Sequence, residues 1–240
     1  MGNGSLTYYS FASSSDGNAG VVTDGETHIL LDAGISAAAI FAGLGEIGIE
    51  PGALSALLLT HTHADHVRGL PVFRKKTPLP VLRMGDGIAP GGTGIGTIRV
   101  FAFPTPHDAP DSCGYRFESG ADAFGFVTDL GHVTGEVRKG VKGVRKLVLE
   151  SNYDRRMLWE GPYPYLLKKR IDSEEGHLSN ADAAAFLREM AEDGLEIAAL
   201  GHLSKINNTP ETALAEARRA AGEGSPVRIR VLERKEICRV

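Results

Sequence analysis

Thr60-His61-Thr62-His63-Ala64-Asp65-His66 places three imidazoles and a carboxylate within six residues. Neutral imidazole and carboxylate together suit zinc, manganese or iron. A hydrophobic core has no use for three neighbouring histidines, because each would lose hydration without gaining a partner. A solvated surface cluster is the plain alternative. The apolar run Leu54–Leu59 before it and Val67-Arg68-Gly69-Leu70 after it argue for a site built into the fold. Elsewhere His107, Asp129, His177 and His202 stand near the ends of apolar runs or before a helix signal.

The elements that must position these groups follow from hydrophobic patterning. Leu6–Ala12 predicts a strand, and Ser13–Asn18 a polar turn. Val21–Thr23 and His28–Leu31 predict a hairpin around Asp24-Gly25. Ala37–Ile47 predicts a helix, weakened by Gly43 and Gly45. Leu54–Leu59, Thr97–Phe103, Phe124–Val127, Lys146–Leu149 and Glu196–Leu200 predict strands. Each runs into polar residues: Thr60-His61, the segment to His107, Thr128-Asp129, Glu150-Ser151-Asn152 and Gly201-His202. Strands that release polar residues from one end build a site on one edge of the sheets. Ser179 with Asp182 caps a helix through Met190, and Thr209-Pro210-Glu211 opens another to about Ala220. Val227–Leu232 predicts a final strand. Pro90–Gly96 predicts a loop or hairpin turn, since it lacks the residues of a phosphate loop or a dinucleotide fingerprint. No linker, charge block or repeat divides the chain, so residues 1–240 are expected to form one domain.

Bulk properties exclude several classes. The chain is 42% hydrophobic and 23% charged, which is ordinary globular composition. At 240 residues it can fold without disulfides or a structural metal, so a metal here serves chemistry. A net charge of −4 argues against a strongly basic nucleic-acid clamp, without excluding a nucleic-acid substrate. Cys113 and Cys238 are expected to be free thiols. The N-terminal residues from Met1 carry neither a secretory signal nor a myristoylation pattern, and no apolar run spans a membrane. The expected location is the cytoplasm.

The run from His61 to His66 resembles the H-x-H-x-D-H signature of the metallo-β-lactamase superfamily. His107, Asp129 and His202 match that family's remaining ligands in order, and Asp32 in Leu31-Asp32-Ala33-Gly34 matches its largely structural aspartate. The resemblance implies an α/β, four-layer αββα sandwich and two divalent metal ions, zinc first, with manganese or iron as alternatives. It assigns His61, His63 and His107 to one ion and Asp65, His66 and His202 to the other, with Asp129 bridging. Neither cysteine matches the lactamase metal-ligand position, and the bridging Asp129 further argues against antibiotic hydrolysis. His63 stands where the diiron oxygen-reducing branch has a glutamate.

Phosphodiesterases and glyoxalase II-type thioesterases both fit this ligand set. Ser13–Asn18, Glu150–Asp154, Gly176–Asn180 and His202–Asn208 resemble the YycJ/WalJ group of bacterial proteins, associated with 5′-to-3′ exonuclease activity on DNA. That likeness implies a two-metal phosphodiesterase. Two metals about 3.5–4 Å apart can bind a phosphodiester and convert a bridging water into hydroxide for in-line attack. Asp65 and His177 are then the residues expected in the chemistry, with His177 as leaving-group acid, a role worth about 10²–10⁴ in rate. Capping or packing is the alternative for His177. Ser15, Asn18, Asn152, Ser179, Asn180, Ser204 and Asn208 are candidate substrate contacts, with turn and cap duty as the competing explanation. His132, three residues beyond Asp129, is expected at the solvent or behind the ligands, with a substrate contact as the alternative, and His28 is expected to be structural. Basic clusters at Arg74–Lys76, Lys139–Lys146, Lys168–Arg170 and Arg228 with Arg230 would form a track for a polyanion if two of them flanked the metal edge. A small-molecule hydrolase, either a cyclic phosphodiesterase or a thioesterase, is the rival reading.

Overall fold

The computed structural model describes residues 4–222, 224–234 and 236–240; Met1–Asn3, part of the N-terminal reading, lie outside them. The elements are β1 (Thr7–Ala12), β2 (Ala19–Thr23), β3 (His28–Leu31), α1 (Ala37–Glu46), β4 (Leu54–Leu58), α2 (Ala64–Val67) and α3 (Leu70–Lys76). Then come β5 (Val81–Met84), β6 (Gly87–Ile88), β7 (Thr93–Ile95), β8 (Ile98–Pro104), β9 (Cys113–Ser119), β10 (Asp122–Val127), α4 (Gly135–Gly140) and β11 (Lys146–Glu150). The last part holds α5 (Arg155–Glu160), α6 (Tyr165–Ile171), α7 (Asn180–Glu192), β12 (Ile197–Gly201), α8 (Pro210–Ala221), β13 (Arg228–Val231) and β14 (Cys238–Arg239).

Two mixed sheets result, ordered β14-β1-β2-β3-β4-β5-β6 and β13-β12-β11-β10-β9-β8-β7. Alternation along the strands makes the layers. Ile29, Leu31, Ala56 and Leu58 point into a core shared with Val148, Ala199, Tyr115 and Phe126 of the second sheet. Their neighbours Leu30 and Leu57 pack outward on Ile40 and Leu44 of α1 and Phe73 of α3. Leu147, Leu149, Ala198 and Leu200 pack outward on Phe186, Leu187 and Met190 of α7 and Ala213 of α8. Strands covered on both faces read as unbroken apolar runs, and this is why the alternation was invisible in β4 and β11.

The predicted strands and helices are present, with ends shifted by a residue or two. The exception is Pro90–Gly96. Its second half is not only turn: Thr93–Ile95 is the edge strand β7, paired antiparallel with β8. The helix caps form as read, with Ser179 Oγ accepting from Asp182 N at 3.1 Å and Thr209 Oγ1 from Thr212 N at 3.1 Å.

Topology gathers the polar strand ends. β3 and β4 are parallel, as are β10, β11, β12 and β13, so their carboxyl ends share one edge of each sheet. β8 lies antiparallel to β9, which lies antiparallel to β10, so β8 also ends there. Asp32, Asp129 and His202 each follow a strand and adopt left-handed φ values of 58°, 59° and 56°. Such backbone is uncommon for residues with a side chain and collects at functional sites.

Candidate metal centre

The loop after β4 carries His61 and His63, and α2 carries Asp65 and His66. Close backbone approach locks this segment to the turn after β3. Ala33 N donates to His66 O, and Asn18 N to Asp65 O, each at 2.8 Å. A Cβ on Gly34 would strike the Asp65 carbonyl, so only glycine fits there. From the second sheet, His107 follows β8, Asp129 follows β10, His202 follows β12, and His177 precedes α7.

These side chains converge. His61, His63 and His107 form one group able to hold an ion; Asp65, His66 and His202 form another; and His61, His66 and Asp129 link the two. Ligands held about 2.0–2.1 Å from a tetrahedral ion lie about 3.3–3.4 Å from each other. His107 Nε2 is 3.3 Å from His63 Nδ1, and His202 Nε2 is 3.3 Å from Asp65 Oδ2. His66 Nε2 is 3.3 Å from Asp129 Oδ2 and 3.4 Å from Asp65 Oδ2. His61 Nε2 and Asp129 Oδ2 are buried with no hydrogen-bond partner. Unsatisfied buried polar atoms are costly, and a cation between them removes the cost.

The groups behind the rings fix their orientation. His107 Nδ1 donates to Gly176 O at 3.0 Å, which leaves its Nε2 as a lone pair. His66 Nδ1 lies 2.8 Å from Asp32 Oδ2, and Asp32 Oδ1 accepts from Thr60 N at 2.9 Å. Asp32 thus supports the site from behind, as expected. Glu150, at the end of β11, is fully buried. Its Oε1 lies 2.9 Å from His202 Nδ1 and 2.8 Å from His177 Nδ1, while Oε2 accepts from Leu130 N and Leu178 N.

The electrostatics call for positive charge. Burial pushes the His61 imidazole down to about 3, so it is neutral and able to ligate. Burial opposes charge on His202 too, but Asp129, with Asp65 and Glu150, outweighs it and pushes that ring up to about 10. Burial likewise opposes charge on His66, yet Asp32 and Asp129 hold it well above the usual histidine range. Burial would raise Glu150, but His177 and His202 hold it down to about 2. Glu150 in turn raises His177 against the effect of burial. With only protons to balance the carboxylates, the rings stay charged; a divalent ion would replace those protons.

A cleft of about 390 Å³ opens over the cluster, lined by Ser15, Asn152, His177 and Ser204 among others. Of the other expected substrate contacts, Asn18 reaches Asp65 Oδ2 at 3.4 Å from the ligand side. Ser179, Asn180 and Asn208 do not line the cleft. Ser179 caps α7, and Asn180 and Asn208 bond each other and the Ser151 side chain and carbonyl. His132 is exposed and donates to Glu174 O, and His28 bonds Thr23 across its hairpin. Cys113 and Cys238 are free, and the Cys113 thiol, pushed up to about 12 by burial, contacts Thr60 O outside the cluster. Among the described residues of the four basic clusters, Arg170 alone lines the cleft. Arg145 and Lys146 engage Glu196 and Asp122 at the far edge, away from the cleft.

The residue that sequence reasoning passed over is Glu150. Its signal was its place at the end of an apolar strand, but no spacing tied it to two distant histidines. Asp108, 3.5 Å from His107 Nε2 and paired with Arg170, and Tyr163 on the cleft wall were also missed.

Fold and cluster together define a metal-dependent hydrolase of the metallo-β-lactamase type. The metallo-β-lactamase superfamily model matches residues 14–96, and the β-lactamase superfamily domain model matches residues 83–202. The chain belongs to the metallo-β-lactamase superfamily. It is 33% identical to an exodeoxyribonuclease YycJ of Bacillus anthracis over 87% of this chain and 86% of that one. It is 32% identical to an exodeoxyribonuclease WalJ of Streptococcus pneumoniae, over 86% of this chain and 84% of that one. In structure it resembles the metallo-β-lactamase fold protein YhfI of Bacillus subtilis, with a TM-score of 0.74 and 14% identity over 97% of this chain and 99% of that one. The short form of human tRNase Z is also similar, with a TM-score of 0.65 and 15% identity over 97% and 98% of the two chains. No described helix is long and apolar enough to cross a membrane.

Proposed function

We propose that this chain is a phosphodiesterase acting on DNA as a 5′-to-3′ exonuclease, with residues 1–240 working as one domain. The observation that carries the reading is His177 on the wall of the cluster's cleft, with Nδ1 held by buried Glu150. The naming of the relatives supports DNA as substrate.

In this reading His61, His63 and His107 hold one divalent ion, Asp65, His66 and His202 hold a second, and Asp129 lies between. Such ions, zinc first, would supply Lewis acidity at a phosphoryl oxygen and a water of lowered pKa. The chain's own residues do the rest. Glu150 holds the His177 ring by Nδ1, leaving Nε2 to donate a proton to the departing deoxyribose oxygen. A thiolate leaving group would need no such donor, so a thioesterase would have no use for this pair. Ser15, Asn152 and Ser204 provide hydrogen-bonding groups for phosphate oxygens. The cleft has room for a terminal nucleotide, and His63 and Asp65, part-exposed on its wall, leave the cluster open to substrate and water.

The test offers metal-loaded protein 5′-phosphorylated duplex DNA and bis(p-nitrophenyl) phosphate. Cleavage of both is expected. His177→Ala should lower DNA turnover by about 10²–10⁴. If neither substrate is cleaved with zinc or manganese present, or if His177→Ala cuts DNA as the parent does, the reading is wrong.

A further inference from the structure

Residues 155–171, which form α5, α6 and the turn between them, stand apart from the rest of the surface. Among the described residues, five large apolar side chains are exposed, and three of them fall here: Trp159 at 40%, Tyr165 at 63% and Leu166 at 79%. The segment also carries five basic residues against Glu160 alone, a net +4 in a chain whose formal charge is −4. It borders the candidate metal centre directly, since Tyr163, Leu167, Arg170 and Ile171 line the cleft.

The aromatic rings are arranged to be used. Trp159 Nε1 donates to Asp172 Oδ2 at 2.9 Å, which satisfies its polar edge and leaves the apolar face at the surface. The Tyr165 ring lies 6.1 Å from it, centroid to centroid, with the planes at 56°. Tyr165 is only two residues from Tyr163 on the cleft wall, a chain distance of at most about 7 Å. Single exposed apolar side chains are ordinary, but exposed rings set side by side, with Leu166 next to them in the chain, make a contiguous patch of the kind that marks an interaction site. The positive charge selects among partners. A second copy would bring the same excess of basic residues and repel it, whereas a polyanion is attracted by Arg156, Lys168 and Lys169 and can compete for Arg155 and Arg170, now paired with Asp182 and Asp108. Aromatic rings interleaved with lysine and arginine form the usual platform for unpaired bases, because every base offers a π face.

We propose that the α5–α6 segment is a landing platform for single-stranded DNA, with bases stacked on Trp159 and Tyr165 and Arg170 taking a backbone phosphate at the cleft mouth. Arg170 now pairs with Asp108, with Nε 2.6 Å from Oδ2, and an incoming phosphate competes with that carboxylate. The choice of ligand rests on the nuclease reading, and the platform itself rests on the rings and the charge. Substrate would approach as an unpaired end passing over α6 to the metals.

The test is fluorescence anisotropy of the metal-loaded protein with two labelled, cleavage-resistant phosphorothioate strands of about 20 nucleotides. One is oligothymidylate and the other is abasic. Oligothymidylate should bind at least about 10-fold more tightly. Trp159→Ala and Tyr165→Ala should each weaken it by about 10-fold, and Trp159→Phe should retain most of the binding. Abasic binding should respond to Arg170→Ala and to salt, but to neither ring. Equal affinity for both strands, or a Tyr165→Ala protein that binds oligothymidylate like the parent, overturns the platform. So does a Trp159→Ala, Tyr165→Ala protein that loses a dimer on sedimentation yet keeps its oligothymidylate binding, because the surface would then belong to a second copy. The readout needs no turnover, so a parent protein that cleaves nothing would sink the nuclease reading while leaving this result to be judged separately.

Discussion

The two edges of the sandwich are built from the same residue types to opposite ends. At the carboxyl edge of the parallel strands, Asp129 Oδ2 and His61 Nε2 are buried without partners, and Asp32, Asp129 and His202 take left-handed backbone. At the other edge, two carboxylates are saturated. Asp24 Oδ2 accepts from Thr97 Oγ1 at 2.6 Å and Ser119 Oγ at 2.7 Å, while its Oδ1 accepts from Thr27 N at 2.9 Å. Asp122 Oδ2 accepts from Leu6 N at 2.9 Å and Lys146 Nζ at 3.3 Å. Both clamps tie one sheet to the other. A carboxylate with its donors in place stabilises the fold, and one left facing a gap with imidazoles around it is available for a cation. Stability and chemistry are thus separated by the length of a strand.

The comparison breaks most sharply at His61. His61→Ala should lower turnover by at least about 10³ and bound metal, measured by elemental analysis, by at least one ion per chain. Its melting temperature in chelator should move by only a few degrees, because the lost packing is partly offset by removing an unsatisfied nitrogen. A large fall in that temperature would mean His61 is a core residue. Glu150→Gln should cost about 10–100-fold in metal affinity or activity, since an amide oxygen is a weaker acceptor for two imidazole N–H groups than a carboxylate. At the other edge the pattern should invert. Asp122→Ala strands Lys146 and the Leu6 amide, at a cost of about 2 kcal/mol, or roughly 4–8 °C in melting temperature, with turnover at the parental level. The smallest effect is in acid. Burial works against the Asp24 carboxylate, but bonds from Thr97, Thr27 and Ser119 outweigh it and hold it at about 2, below its ordinary 3.8. Its contribution is complete above about pH 4 and vanishes as pH falls toward 2. The parent should melt slightly higher than Asp24→Asn at neutral pH, and that difference should shrink as pH falls from about 4 toward 2; a difference that stays constant into acid would mean the Asp24 charge contributes nothing.

Legibility in the sequence followed the same division. The polar ends of β4, β10 and β12 stood out because each interrupts a continuous apolar run, and the family signature then named the ligands. Glu150 was hidden because its partners, His177 and His202, are brought to it by packing alone. α2 and α3 escaped because one is a four-residue turn and the other opens on Gly69-Leu70-Pro71 with no side-chain cap. Ser179, Asn180 and Asn208 were read as substrate contacts because small polar residues near a ligand motif look alike whether they face inward or outward. Their hydrogen bonds lie between loops, and only coordinates show that. The exposed rings of α5 and α6 had no periodicity that would mark them.

Glu150 also bears on how this protein can vary. One carboxylate serves both a ring of the metal cluster and the ring proposed as the proton donor. Neither histidine can be exchanged without disturbing the other's counter-charge, so changes at His177 and His202 should be non-additive in a double-mutant cycle. A lineage seeking a different leaving group would have to revise all three positions together. Asn152, whose Nδ2 donates to His202 O at 2.8 Å, is drawn into the same linkage, whereas Ser15 and Ser204 on the cleft wall touch none of the three and can drift one at a time.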